Sequence, residues 1–118
     1  MNTQKTAVSF KFETFNDGLV SIHLIDDDGN AGQIRGRYRY TEKTVGAARY
    51  YEAMTAKVQI DRLIRIQYQE WLTTEYLAVI HGRVYEISQV QMIPDSLPRT
   101  SALSLHLARQ REVADGIL

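Results

Sequence analysis

Residues 79–92, which read VIHGRVYEISQVQM, decide the fold of this chain. Two β-prone runs, 77–80 and 84–87, are joined only by His81, Gly82 and Arg83, a link too short for anything but a tight turn. Histidine is among the non-glycine residues that tolerate positive φ, so His81-Gly82 can replace the Asn-Gly pair of a type I′ turn. The sequence therefore predicts a compact β-hairpin.

The second arm of this hairpin changes phase partway along its length. Tyr85 and Ile87 share one face of a regular strand, whereas Val90 and Met92 fall on the other face. Either the strand bulges around residues 88–89, or both of its faces are partly covered. Bulges of this kind are common where a small sheet curls into a barrel.

Alternating apolar and polar residues predict further strands on both sides of the hairpin. The predicted strands cover residues 7–14, 19–25, 33–41, 61–68, 76–80, 84–92 and 100–108. Each has one apolar face, and the side chains predicted to point inward include Val8, Phe10, Phe12, Val20, Ile22, Leu24, Tyr38, Tyr40, Ile64, Ile66, Tyr68, Leu103, Leu105 and Leu107.

Helix-forming residues after Gly46 predict one short helix over residues 47–55. The fold class is then mainly β, a small antiparallel β-barrel or sandwich of about six to seven strands with one short helix. We expect one barrel-like domain over residues 1–109. Residues 110–118 are predicted to be a C-terminal tail, either frayed or docked on a partner.

Composition excludes several classes of protein. The chain has 118 residues, 44% of them hydrophobic and 24% charged, which suits one modest core. Fourteen basic and fourteen acidic residues cancel, which argues against a dedicated duplex-binding protein. The absence of cysteine excludes disulfides, thiolate catalysis and cysteine-based zinc sites. No apolar run reaches the roughly 18 residues of a membrane helix, and we expect a cytoplasmic protein with no membrane contact.

An acidic loop, DDDGNAG, begins at Asp26 and includes Asp27 and Asp28. It resembles a calcium loop only superficially, because aligning Gly29 with the EF-hand glycine puts Leu24 at the first ligand position. Asp and Gly are also preferred in tight turns, so the sequence favours a solvated hairpin loop.

The next predicted strand carries three cations on one face, Arg35, Arg37 and Arg39, opposite the tyrosines. A solvent-exposed basic face, a protein contact and a weak phosphate contact all fit this pattern. The arginines and the three aspartates form complementary patches for a head-to-tail ring of copies. The candidate interface contains Arg35, Arg37, Arg39, Asp26, Asp27, Asp28, Arg49, Tyr50 and Glu52.

No catalytic motif is present in the sequence. His23, His81 and His106 lie on separate predicted strands or turns, without the spacing of a metal site. No nucleophile elbow, phosphate-binding loop or dinucleotide fingerprint occurs. Trp71 is predicted to pack over one end of the core. We expect no enzyme activity, no metal and no cofactor.

The order of features over residues 46–109 resembles the head-tail joining, or head-completion, proteins of long-tailed bacteriophages. In that family a Glu and Ala stretch precedes a strand containing Ile-Arg, a hairpin with Gly-Arg, Tyr, Ile and Val follows, and the closing strand has alternating leucines. The matching residues here are Glu52, Ala53, Ile64, Arg65, Tyr68, Gly82, Arg83, Tyr85, Ile87, Val90, Leu103, Leu105 and Leu107.

The resemblance implies a structural role without catalysis. Proteins of this family form a ring, commonly of twelve copies, beneath the portal and its adaptor. They close the DNA channel after packaging and present a docking surface for tail-completion proteins, and they touch the DNA only in passing. The implied location is the virion, and the host cytoplasm during assembly.

Two other classes of function stay open at this point. An OB-like module that binds single-stranded nucleic acid would use the RGRYRY stretch and Trp71. A barrel that binds a small molecule, or an accessory subunit of an enzyme, is the third alternative.

Overall fold

The computed structural model describes residues 11–44 and 59–116. These residues form eight strands, and the part of the chain that is described contains no helix able to cross a membrane. The strands are β1 (Lys11–Phe12), β2 (Gly18–Ile25), β3 (Ala31–Lys43), β4 (Arg62–Gln67), β5 (Leu77–Ile80), β6 (Arg83–Ile93), β7 (Ser96–Leu97) and β8 (Thr100–Leu107).

Six of the strands form one antiparallel sheet that closes on itself in the order β2-β3-β4-β8-β6-β5. The ring is completed where β2 pairs with β5. Strands β1 and β7 form a separate parallel pair of two residues each. The predicted mainly β fold with an antiparallel barrel is confirmed, whereas the helix predicted over residues 47–55 lies outside the described residues.

The hairpin of β5 and β6 has the turn that the sequence predicts. His81 and Gly82 both have positive φ, 51° and 76°, as the type I′ turn requires. The predicted irregularity is also present, because Ile87 pairs with Leu105 while Gln89 pairs with Ser104, which makes Ser88 an extra residue in β6. This bulge carries Val90 back against the core.

Side chains fill the interior of the ring. The central cluster contains residues from all six strands and Leu72 from the link after β4. A ring of six strands leaves an interior no wider than its own side chains. The buried members are Val20, Ile22, Tyr40, Ile64, Ile66, Leu72, Ala78, Ile80, Tyr85, Ile87, Leu103 and Leu105.

Two predicted inward side chains are exposed instead. Leu24 is exposed and its neighbour His23 is fully buried, because register shifts between β2 and β3 flank His23 and reverse the expected phase. Phe12 is 78% exposed on β1, which pairs with β7 rather than with the central sheet. The other inward residues of that predicted strand, Val8 and Phe10, lie outside the described residues.

The C-terminal segment differs from the expected free or partner-bound tail, because residues 108–116 pack on their own barrel. Val113 forms a parallel bridge with Ala31 at the start of β3. Val113 and Ala108 also cover a second apolar cluster on the outside of the ring, made of Ala31, Leu77, Val79 and Val84. Arg111 fixes the segment by an ion pair with Glu86 (3.0 Å).

Candidate interaction surface

Strand β3 has one edge that other described residues pair with only in part. On this edge β4 pairs with Thr41, Glu42 and Lys43 alone. Two contacts show how the peptide groups alternate: the Glu42 N–H donates to Asp17 on the β2 side, and the Ala31 N–H and C=O bond the tail on the opposite side. On the C-terminal side of the register shift at Arg35, the Arg37 and Arg39 peptide groups therefore point away from β2.

Residues 33–39 occupy the stretch between these two pairings. No strand among residues 11–44 and 59–116 pairs with them on the side away from β2. Gln33, Arg35, Arg37 and Arg39 are all exposed there. We call this stretch the free edge of β3.

The predicted row of three arginines is divided in the structure. Arg37 and Arg39 pair in register with Ser21 and Leu19 of β2 and are exposed. Arg35 is an extra residue of β3, because Gly36 pairs with Ile22 while Ile34 already pairs with His23. This bulge directs Arg35 away from the other two arginines.

Arg35 belongs to an aromatic cluster at one end of the barrel. Its guanidinium carbon lies 4.4 Å from the centre of the Trp71 ring, and its Nη1 donates to the Tyr76 hydroxyl (2.9 Å). The Trp71 ring also contacts Tyr76 edge-on at 5.1 Å and lies 6.4 Å from the Tyr38 ring. The cluster packs on the core, as predicted for Trp71, and burial raises the pKa of Tyr38.

A second arginine, which the sequence did not single out, closes the opposite end of the barrel. Arg62 donates to the hydroxyls of Tyr40 (3.2 Å) and Tyr85 (3.3 Å) and lies over both rings. Its Nη2 lies 2.6 Å from a carboxylate oxygen of Glu42. Hydrogen bonding to Glu42 raises the pKa of Arg62, so its charge is permanent.

The acidic loop is the turn of the β2–β3 hairpin, as predicted. One carboxylate oxygen of Asp26 accepts the N–H groups of Asp28 (2.9 Å) and Asn30 (2.8 Å), so Asp26 holds the loop in shape. The side chains of Asp27 and Asp28 are exposed. Of the three predicted interface aspartates, these two are the ones presented to solvent.

His23 is buried and has both ring nitrogens engaged. Its Nδ1 lies 2.7 Å from the carbonyl oxygen of Gly32, which can only accept, so Nδ1 carries the proton. Its Nε2 accepts from the Ser21 hydroxyl (2.7 Å). Burial lowers the pKa of His23, and the nearby charge of Arg37 acts in the same direction. His23 is thus a neutral structural residue at pH 7.

Glu13 joins the segment before β2 to the barrel. Its carboxylate is almost fully buried and lies 3.0 Å from Arg65 and 3.4 Å from Lys43. Such a carboxylate has its charge balanced by two cations. The contact is structural, because it links three separate parts of the fold.

A metal-binding cluster is not found among the described residues. Within residues 11–44 and 59–116, no three His, Asp or Glu side chains are placed to hold a metal ion. An open groove of about 540 Å³ is lined in part by the tail, and two of its charged residues, Glu86 and Arg111, bind each other. The predicted interface residues Arg49, Tyr50 and Glu52 lie outside the described residues.

A scan against protein-family models finds no match for the chain, and a search of curated proteins finds no significant relative.

Proposed function

We propose that the chain is a structural subunit of a phage or prophage head-tail connector. In this role it joins the portal or its adaptor to the tail and helps to close the DNA channel after packaging. It acts in the virion, after assembly in the host cytoplasm. The proposal starts from the likeness of residues 46–109 to the head-completion proteins.

The observation that carries the proposal is the distribution of charge on the β2–β3 hairpin. Asp27 and Asp28 are exposed at its tip, and Arg37 and Arg39 are exposed along the free edge of β3. A rigid unit with opposite charges at two separate places fits head-to-tail association of copies into a closed ring. Arg35 and Asp26, which were also predicted for this interface, each make a hydrogen bond within the subunit.

Removal of the gene tests the proposal in the phage or prophage that carries it. Without the protein, we expect tailless heads that lose their packaged DNA, together with separate tails, in electron micrographs. Wild-type protein supplied from a plasmid should restore tailed particles. Normally tailed, infectious particles from the deletion strain would exclude a connector role.

Charge reversal tests the two hairpin patches separately. Arg37→Asp with Arg39→Asp should abolish complementation, and so should Asp27→Arg with Asp28→Arg. In a mixture of the two double variants, every contact between unlike copies joins an acidic patch to a basic one, so the mixture should restore complementation. Arg83→Asp at the exposed turn serves as the matched control. Full complementation by both double variants would remove these patches from the interface.

Binding of single-stranded nucleic acid is the competing function, and exposed Arg37 and Arg39 favour it. A base-stacking platform also needs an open aromatic face, but Arg35 already occupies one face of Trp71. Filter binding of single-stranded DNA at two salt concentrations separates the two proposals. Tight binding that falls steeply with salt and is lost on Arg37→Ala would overturn the connector proposal.

A further inference from the structure

The free edge of β3 presents main-chain hydrogen-bonding groups in a row. Between the register shift at Arg35 and the β4 pairing at Thr41, Arg37 and Arg39 direct their peptide groups away from β2. A strand edge of this kind is a template for another extended chain. The edge offers hydrogen-bond donors and acceptors in alternation, and the main chain of another polypeptide matches this pattern. Phosphate groups do not match it, because they only accept hydrogen bonds.

The same edge already accepts an extended segment at its beginning. Ala31 donates its N–H to the carbonyl of Glu112 and accepts from the N–H of Ala114, both at 2.9 Å, in parallel orientation. The tail then turns at residues 115–116. The described tail residues therefore form one bridge with β3, and no other segment within residues 11–44 and 59–116 pairs with the stretch from Gln33 to Arg39 on this side.

The charges on the edge select the kind of chain that can bind. Arg37 and Arg39 place two exposed cations along it. Two copies that met through this same edge would bring these cations together, and like charges on adjacent strands repel. An acidic segment would instead place its carboxylates beside the arginines.

We propose that an extended acidic segment of a partner protein adds to β3 as an extra strand along Arg37 and Arg39. The inference deepens the proposed function, on which it rests for the assignment of the partner to the connector. Main-chain hydrogen bonds hold the neighbouring protein, and the arginines favour a segment with acidic side chains.

A designed peptide tests the pairing directly on the wild-type protein. The probe is a ten-residue peptide in which glutamate and threonine alternate. The first control has lysine in place of glutamate. The second control is the glutamate peptide N-methylated at alternate residues, so that one of its edges cannot form main-chain hydrogen bonds. Amide hydrogen exchange, read by NMR, should show protection of the Arg37 and Arg39 N–H groups with the glutamate peptide only.

Substitutions at one position separate pairing from charge. Arg37→Pro removes the outward N–H, and Arg37→Gln removes the charge and keeps the N–H. Each substitution should lower the affinity for the glutamate peptide about tenfold, because each removes one charge-assisted or main-chain contact. Arg83→Gln, on the exposed turn, should leave affinity unchanged. If Arg37→Pro fails to fold, the N-methylated peptide still tests the main-chain contact on the wild-type protein.

Four results would overturn the inference: protection of the Arg37 and Arg39 amides in the free protein, equal binding of the N-methylated peptide, no binding of the glutamate peptide, or protection of the same amides by oligothymidylate.

Failure of the connector proposal is recognised separately. Normal tails after gene deletion would refute the connector while leaving peptide pairing intact, and tailless heads without peptide pairing would refute only strand addition.

Discussion

The ring of Tyr38 lies directly over Gly36, so closely that a Cβ at Gly36 would come within 2.8 Å of the Tyr38 Cζ. Both residues belong to β3 and face the same side, two positions apart. The absence of a side chain at Gly36 allows Tyr38 to lie flat and to reach Trp71 at the end of the barrel. The RGRYRY motif is therefore a packing motif as well as a charged one.

Gly36→Ala should displace Tyr38 and destabilise the fold by about 1–3 kcal/mol, the usual cost of overpacking. Urea unfolding followed by fluorescence measures the effect, since Trp71 is the single tryptophan and lies beside Tyr38. In a Tyr38→Ala background the same substitution should cost much less. An equal cost in both backgrounds would show that the Tyr38 ring is not what excludes a side chain at Gly36.

The buried His23 should make stability depend on pH. Its folded pKa is lowered from the ordinary 6.5, so the unfolded chain binds the proton first as the pH falls. The stability contribution is full above pH 6.5 and is lost as the pH falls from there toward the folded pKa. We expect the urea midpoint to fall over this range in the wild type and to fall less in His23→Gln.

Identical pH profiles for wild type and His23→Gln would refute the assignment of the effect to His23.

Arg62→Ala should destabilise the barrel by about 1–3 kcal/mol, because the Tyr40 and Tyr85 hydroxyls lose their donor and both rings lose a packed neighbour. Chemical unfolding gives the free energy. The comparison variant is Arg83→Ala, an exposed position at which a change within about 0.5 kcal/mol is expected. Equal effects of the two substitutions would contradict the closing role of Arg62.

Val113→Asp should release the tail from the outer apolar cluster and cost about 1–2 kcal/mol, since a half-buried methyl pair is replaced by a charge. Hydrogen exchange of the Ala31 amide, which donates to the tail, should become faster. Gln110→Asp makes the same change of charge at an exposed position and should leave that amide protected. Unchanged exchange in Val113→Asp would mean that Val113 does not hold the tail.

Features that depend on neighbouring residues were predictable from the sequence. The His81-Gly82 turn follows from the backbone preferences of two residues, and the bulge at Ser88 follows from a break in alternation within one strand. The exposed positions of Arg37 and Arg39 follow from the same period of two. Such features depend on residues that are adjacent in the chain, so they can be predicted from the sequence alone.

Features that depend on distant partners were not predictable. His23 is buried because of a register shift on β3, and Arg62 closes the barrel because Tyr40 and Tyr85 come from two other strands. The tail sequence is mostly polar, and Val113 makes its main apolar contact with the barrel. The cluster that Val113 covers comes from three different strands, so the sequence of the tail does not indicate it. The separation of Arg35 from its row likewise required the paired register of two strands.

The two arginines at opposite ends of the ring have a consequence for any passage of DNA. Arg35 and Trp71 lie over one end of the barrel, and Arg62 lies between two tyrosines at the other end. Fully buried isoleucines and leucines fill the space between them. The barrel therefore has no channel along its axis. Nothing can thread a single copy. A conduit would have to be lined by the outer walls of several copies, so its bore would be set by how many subunits assemble and at what angle.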